Sequence, residues 1–149
     1  MAQHSEKRVF PYTPEQVFDL VADVAHYPDF LPWCLDARIF ETSPTSMKAD
    51  LRVGYKALHD TFTSIVQLDR PRSIVVTYGA GPLSHLHTVW RFDPVGKGAC
   101  EVHFDVDFCL KSPILGALLD AFFERAFFKM VEAFESRAAQ IYGEDAGSV

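Results

Sequence analysis

The sequence is short of most features that would declare a chemistry. Three cysteines, Cys34, Cys100 and Cys109, stand in 149 residues, and their positions match no metal-ligand spacing. An odd number of thiols outside any such pattern reads as reduced core residues in a reducing compartment. No run of about 18 apolar residues occurs, so no segment is long enough to span a bilayer as a helix. The polar opening from Met1 to Arg8 is expected to carry no signal peptide. Basic residues are outnumbered, 14 Lys and Arg against 20 Asp and Glu, for a net charge of −6. That balance argues against a broad nucleic-acid footprint and against direct DNA binding. Ser64, Ser84 and the Gly79 to Gly81 loop lie in neither a nucleophile-elbow nor a phosphate-loop pattern.

What the chain does have is apolar and aromatic. The apolar fraction is 48%, ordinary for a globular domain, but thirteen residues are Phe. The length predicts a single domain over residues 1–149, with an ordered core of about 3–143. The dominant element is the last long segment, Ser112 to Tyr142. Ser112 suits an N-cap, Pro113 the first helical position, and Gly143 a helix stop. A helix of roughly 30 residues there is about 45 Å long. Leu115, Leu119, Phe122, Phe123, Ala126, Phe127, Met130 and Phe134 share one face, while Ile114, Leu118, Ala121 and Phe128 fall opposite. The second half is amphipathic, with Lys129, Glu132, Glu135, Arg137 and Gln140 facing water. The first half is apolar nearly all round. It either fills a thick core or closes over something other than water: an apolar ligand, a membrane surface or a second copy.

The rest of the chain supplies what that helix can cover. Ser5 to Phe10 reads as a strand ended by Pro11. Thr13, Pro14 and Gln16 form the capping box of a short helix with an apolar face of Val17, Phe18, Leu20, Val21 and Val24. Two prolines limit Asp23 to Cys34 to a helical turn and a loop. From Leu35 the period becomes two. Leu35, Ala37 and Ile39 alternate with charged residues; Met47, Ala49, Leu51, Val53 and Tyr55 do the same. Phe62, Val66 and Leu68 mark a strand, Ile74 to Tyr78 another, and Gly79 to Pro82 a flexible loop. Leu86, Thr88, Trp90 and Phe92 alternate with His87, Val89, Arg91 and Asp93. Cys100, Val102, Phe104, Val106, Phe108 and Leu110 form the clearest apolar face. The order is one strand, two short helices, six strands and a long helix. Short connections make the sheet antiparallel, with one apolar face that needs a cover. The fold class is therefore α+β: a curved antiparallel sheet of about seven strands around a long C-terminal helix. The strand faces and Phe122, Phe123 and Phe127 line the cleft between them.

Particular stretches carry more than a pattern. Tyr27-Pro28-x-Phe30-Leu31-Pro32-Trp33-Cys34, the Trp90-x-Phe92 strand, and the block from Phe108 through Phe134-Glu135 resemble the START-like superfamily, whose fold is called helix-grip. Within it the chain is most similar to the coenzyme Q-binding START-domain proteins and their bacterial relatives, the ribosome association toxins, over residues 3 to 143. The resemblance implies an apolar cavity under the terminal helix and a polyisoprenoid quinone, ubiquinone, as bound ligand, with no cofactor required. For one branch it implies the large ribosomal subunit as partner. It carries over no catalytic motif.

Candidate ligand-binding residues follow from the alternation. Trp33, Tyr55, Tyr78, Trp90, Phe104, Phe108, Phe122, Phe123 and Phe127 point to the apolar side, with Tyr55, Tyr78 and Trp90 as donors for quinone oxygens. Tyr27 and Phe30 are placed at the cavity entrance, where amphipathic rings suit a gate or a membrane interface. Each of these positions is equally compatible with ordinary packing. His85 and His87, and the Glu101, His103, Asp105, Asp107 face, read as solvated surface, the acids partly paired with Arg91 and His87. Cys34 has no fixed histidine partner and reads as inert. Three functions are consistent with the residues. One is a hydrophobic carrier, cytoplasmic or peripheral on the inner membrane, as a monomer or weak dimer. The second is a translation inhibitor on the ribosome, for which Lys48, Arg52 and Lys56 offer only a weak basic patch. The third, an enzyme of the polyketide cyclase or aromatase kind, lacks a visible acid/base pair.

Overall fold

The computed structural model describes residues 2–31, 33–55, 58–112 and 123–143, apart from the side chains of Ala2, Tyr55, Leu58, Phe123 and Glu124. Seven strands form one sheet: β1 (Ala2–Phe10), β2 (Cys34–Ser43), β3 (Ser46–Tyr55), β4 (Leu58–Asp69), β5 (Ser73–Ala80), β6 (Leu83–Val95) and β7 (Ala99–Leu110). Their order across the sheet is β1-β7-β6-β5-β4-β3-β2, and every neighbouring pair is antiparallel. Six of the strands are a simple meander. Only β1 reaches across, to pair with β7 from Ala2↔Phe108 to Phe10↔Cys100. This is the curved, helix-gripping sheet that the alternation predicts.

Helix α1 (Pro14–Ala22) begins at the predicted capping box. The Gln16 amide donates to the Thr13 hydroxyl at 3.2 Å, and the Thr13 amide donates to Gln16 Oε1 at 2.9 Å. A 3-10 turn follows at Val24–Asp29, with Pro28 inside it. The terminal helix α2 is Phe123–Tyr142; the predicted start from Ser112 puts residues 113–122 outside the described residues. Gly143 ends it with φ +83, and its amide donates back to the Ala139 carbonyl at 2.9 Å.

Burial follows the strand period. Cys100, Val102, Phe104 and Val106 of β7 are each 5% exposed or less, as are Trp90 and Phe92 of β6. From the helix side Met130, Val131, Phe134 and Ala138 meet them. One end of the molecule is solid. There α1 and the end of α2 pack Val17, Phe18, Val21 and Ala138 onto Phe10, Phe92 and Val102. Phe18 meets Phe92 edge-on at 5.9 Å. Polar ties fasten the same end: Tyr142 Oη donates to the Gln16 carbonyl at 2.8 Å, and Arg8 pairs with Glu135 at 3.3 Å.

Three local expectations change. β1 begins at Ala2 rather than Ser5, because β7 is long enough to pair with all of it. Gly79 and Ala80 extend β5, so the expected four-residue loop shrinks to Gly81 and Pro82. Gly81 sits at φ +137, and a Cβ there would lie 2.7 Å from Phe62 Cβ, so only glycine fits the turn. Leu35, expected inward, is 42% exposed. A register shift between Cys34 and Asp36 turns it outward, over Gly54, where a Cβ would stand 2.7 Å from Leu35 Cδ1.

The solid end predicts a large stability response. Phe92→Ala should lower the unfolding free energy by about 3–5 kcal/mol, read from the urea midpoint. Val9→Ala, at a position 54% exposed, should change it by less than about 0.5 kcal/mol.

Candidate ligand-binding site

The other end of the molecule is hollow. Between the inner face of the sheet and α2 lies a cavity of about 260 Å³. Its walls come from β3 (Leu51), β4 (Phe62, Ser64), β5 (Val76), β6 (Leu83, Leu86, Thr88, Trp90) and β7 (Phe104, Val106, Phe108). Its roof is Ala126, Phe127, Met130 and Phe134 of α2, and Tyr27, Trp33 and Pro82 complete it. The period of two explains most of this set, since residues two apart on a strand share a face. Leu83 is the exception, three positions before Leu86. A register shift between Leu83 and His85 brings both to the cavity side.

The aromatic rings are interlocked rather than loose. Trp90 lies 4.4 Å from Phe104 and meets Phe134 edge-on at 5.2 Å. Phe127 reaches Phe104 at 5.9 Å and Phe108 at 5.8 Å. Such tilted and edge-on contacts hold the rings in place and keep the void between them open.

Of the residues expected to bind ligand, Trp33, Trp90, Phe104, Phe108 and Phe127 are brought together on this cavity. Tyr78 is not among its lining residues; its hydroxyl oxygen accepts from the Leu83 amide at 3.1 Å and braces the β5–β6 turn. Tyr55 closes β3 opposite Leu58, but its side chain, that of Phe123, and all of Phe122 lie outside the described residues. Of the two residues expected at the entrance, Tyr27 lines the cavity wall beside Phe134, with ring centroids 5.4 Å apart. Its hydroxyl donates to the Val21 carbonyl, which ties the ring down. Phe30 does not line the cavity: it packs edge-on against Phe134 at 5.1 Å, with the Arg137 guanidinium over its ring.

Two lining residues were not singled out from the sequence: Ser64 and Thr88, 2% and 8% exposed. They are the buried polar residues of the described core. Ser64 Oγ donates to the Ala49 carbonyl at 3.3 Å. The signal was available, since each is a hydroxyl at an inward position of an otherwise apolar strand face. Among the described lining residues there is no carboxylate, histidine, lysine or arginine. The site can bury an apolar molecule and offer it a few hydroxyl and indole groups; its described residues present no proton-transfer pair.

The other candidates resolve as surface. Asp93, Glu101 and His103 come within 4.8 Å of one another. His103 Nε2 is already held by Glu101 at 2.9 Å and Asp93 at 3.2 Å, with Arg91 at 3.3 Å from Nδ1. The histidine paired with Asp107 is His85, at 3.3 Å, rather than the expected His87. Burial pushes the Cys34 thiol up to about 11 and the Cys100 thiol up to about 12, leaving both protonated and unreactive at neutral pH. Iodoacetamide at neutral pH should therefore spare Cys34 and Cys100 in the native protein and label both after urea unfolding, as peptide mass spectrometry would record.

Comparison with known proteins fits this geometry. Residues 10–135 match the family model described as polyketide cyclase / dehydrase and lipid transport. The ribosome association toxin RatA of Pseudomonas aeruginosa is 38% identical over 144 residues, covering 96% of this chain and 100% of that protein. The mitochondrial coenzyme Q-binding protein COQ10 homolog B of Xenopus laevis is 34% identical over 145 residues, covering 95% of this chain and 59% of that protein. Among solved structures, the Zhui aromatase/cyclase of Streptomyces sp. R1128 superposes with a TM-score of 0.85 at 20% identity, over 99% of this chain and 98% of that one. At that identity the likeness is one of fold.

Proposed function

The chain belongs to the polyketide cyclase / dehydrase and lipid transport family, within the group that holds the ribosome association toxins and coenzyme Q-binding proteins, and from that premise we propose that it binds a hydrophobic small molecule, a quinone such as ubiquinone, and carries it. The observation behind this reading is the cavity itself. A void walled by Trp90, Phe104, Phe108, Phe127 and Phe134, with no charged group among the described lining residues, has one evident use. Each Å² of apolar ligand surface taken from water contributes roughly 25 cal/mol. The cavity is small beside the roughly 300–1,000 Å³ typical of ligand sites. It suits a ring and the first part of a tail, with the remainder of a long isoprenoid chain leaving through the mouth. Function here is burial and delivery: among the described lining residues no acid/base pair faces the bound molecule.

None of the described helices is long and apolar enough to cross a membrane. Collection from a bilayer would therefore take place at its surface, and the acidic balance makes that docking weak or partner-assisted.

Full-length similarity to a protein named ribosome association toxin favours a second reading, binding to the large ribosomal subunit. The electrostatics give it modest support. Lys48 is paired with Glu41 at 2.8 Å and Arg38 with Asp50 at 3.1 Å, so of that region's described cations Arg52 alone is exposed without a described pair.

One variant separates the two. Leu86→Trp places an indole in the cavity and should cut co-purified quinone, measured by organic extraction and mass spectrometry, at least tenfold from near one per chain. A wild-type extract empty even after purification from a quinone-rich membrane fraction would defeat the carrier reading. Sedimentation of the same variant with large ribosomal subunits tests the other: retention there, beside an empty wild-type extract, would make ribosome binding the function.

A further inference from the structure

We propose that Thr88 is the polar anchor of the cavity, the group that hydrogen-bonds a ring oxygen of the bound molecule and decides which end of it lies inside. The inference rests on the carrier reading above and adds the orientation and specificity of binding. Thr88 lies on the inner face of β6, 8% exposed, paired in register with Val76 on β5 and Val106 on β7. All three line the cavity, so the hydroxyl sits among methyl groups. Among the described residues nothing hydrogen-bonds it, whereas Ser64 has the Ala49 carbonyl and Tyr27 the Val21 carbonyl. The described side-chain atoms fully buried without a hydrogen-bond partner are on Glu6, Asp107 and Arg137, so the Thr88 oxygen keeps accessible surface, and the surface it lines is the cavity's. A hydroxyl that has no partner among the described residues and opens on an apolar cavity is placed to meet what enters the cavity.

The chemistry of the partner follows. A threonine hydroxyl both donates and accepts. It can donate to a quinone carbonyl and accept from the hydroxyl of the reduced quinol, so one anchor serves both redox states and changes neither. The Trp90 indole, two residues along the same strand face, likewise has no described hydrogen-bond partner and can only donate. The pair therefore favours an oxygenated ring near Thr88 and Trp90. Leu83, Leu86 and Phe108, which offer only apolar side chains, are left to the tail.

The test uses two probes of one carbon skeleton, 2,3-dimethyl-1,4-naphthoquinone and 2,3-dimethylnaphthalene, in equilibrium dialysis against the full chain. Both quinone carbons that could add a thiol are blocked by methyl groups. Thr88→Val should weaken quinone binding about five- to tenfold, leave the hydrocarbon within about twofold, and keep or raise the melting temperature of the ligand-free protein. Thr88→Ser, which retains the hydroxyl, should keep the preference for the quinone. Equal weakening of both probes in Thr88→Val, unchanged quinone binding, or loss of the preference in Thr88→Ser would overturn the anchor while leaving the carrier reading intact. Failure of both probes to bind the wild-type chain would overturn the cavity reading, and the anchor with it.

Discussion

A sheet of seven strands is wider than the single helix laid across it. At about 4.8 Å between strands the two edges stand roughly 29 Å apart, while a helix with its side chains is about 10–12 Å across. Every apolar side chain on the inner face needs a cover, and one helix cannot supply it everywhere. The protein meets this constraint differently at its two ends. At one, α1 joins the end of α2, and Phe10, Phe18, Phe92 and Ala138 close to full packing. At the other, no second described helix sits beside α2. The rings of Trp90, Phe104, Phe127 and Phe134 prop one another instead, and the space left over is the cavity.

This division also explains why the site is chemically quiet. The inner face exists to be buried, so an unpaired charge there would carry a desolvation cost that the cavity offers nothing to offset. Ionisable groups stand where they can pair. His103, Glu101, Asp93 and Arg91 do so on the outer face of β6 and β7. His4, Glu6 and Arg8 do so on the edge strand β1 beneath α2, where Arg8 also reaches Glu135. The buried thiols are held protonated by the same desolvation. The described cavity lining offers shape, ring surface and a few neutral polar groups. A solid fold with a cavity of that kind suits binding, and the same architecture in the aromatase/cyclase structure shows how widely the fold is shared.

Where the sequence reading and the structure part, the cause is local geometry that alternation does not encode. Leu35 turns outward because the strand bulges between Cys34 and Asp36. Leu83 turns inward by a similar shift. Tyr78 has the right parity for the cavity, but the turn behind it takes its hydroxyl for the Leu83 amide. Phe30 belongs to the aromatic segment that suggested a gate, yet it packs on Phe134 away from the cavity. Ser64 lies in no nucleophile-elbow pattern and Thr88 is simply one more residue of an alternating strand, so no sequence motif marks either. Their significance comes from being buried where everything around them is apolar.

The sequence by itself determined the element order, the antiparallel pairing of short-linked strands, the capping box at Thr13 and the identity of the face that must be buried. These follow from period, turn chemistry and connection length, all of which act between residues close in the chain. The Tyr27 to Cys34 and Trp90-x-Phe92 stretches also carried its kinship. Only the tertiary structure decided that the buried face is hollow at one end, and which hydroxyls look into the hollow. A cavity is the difference between the space that distant elements enclose and the volume their side chains fill. That difference depends on how β3 through β7 curve beneath α2, and no stretch of the chain contains it alone.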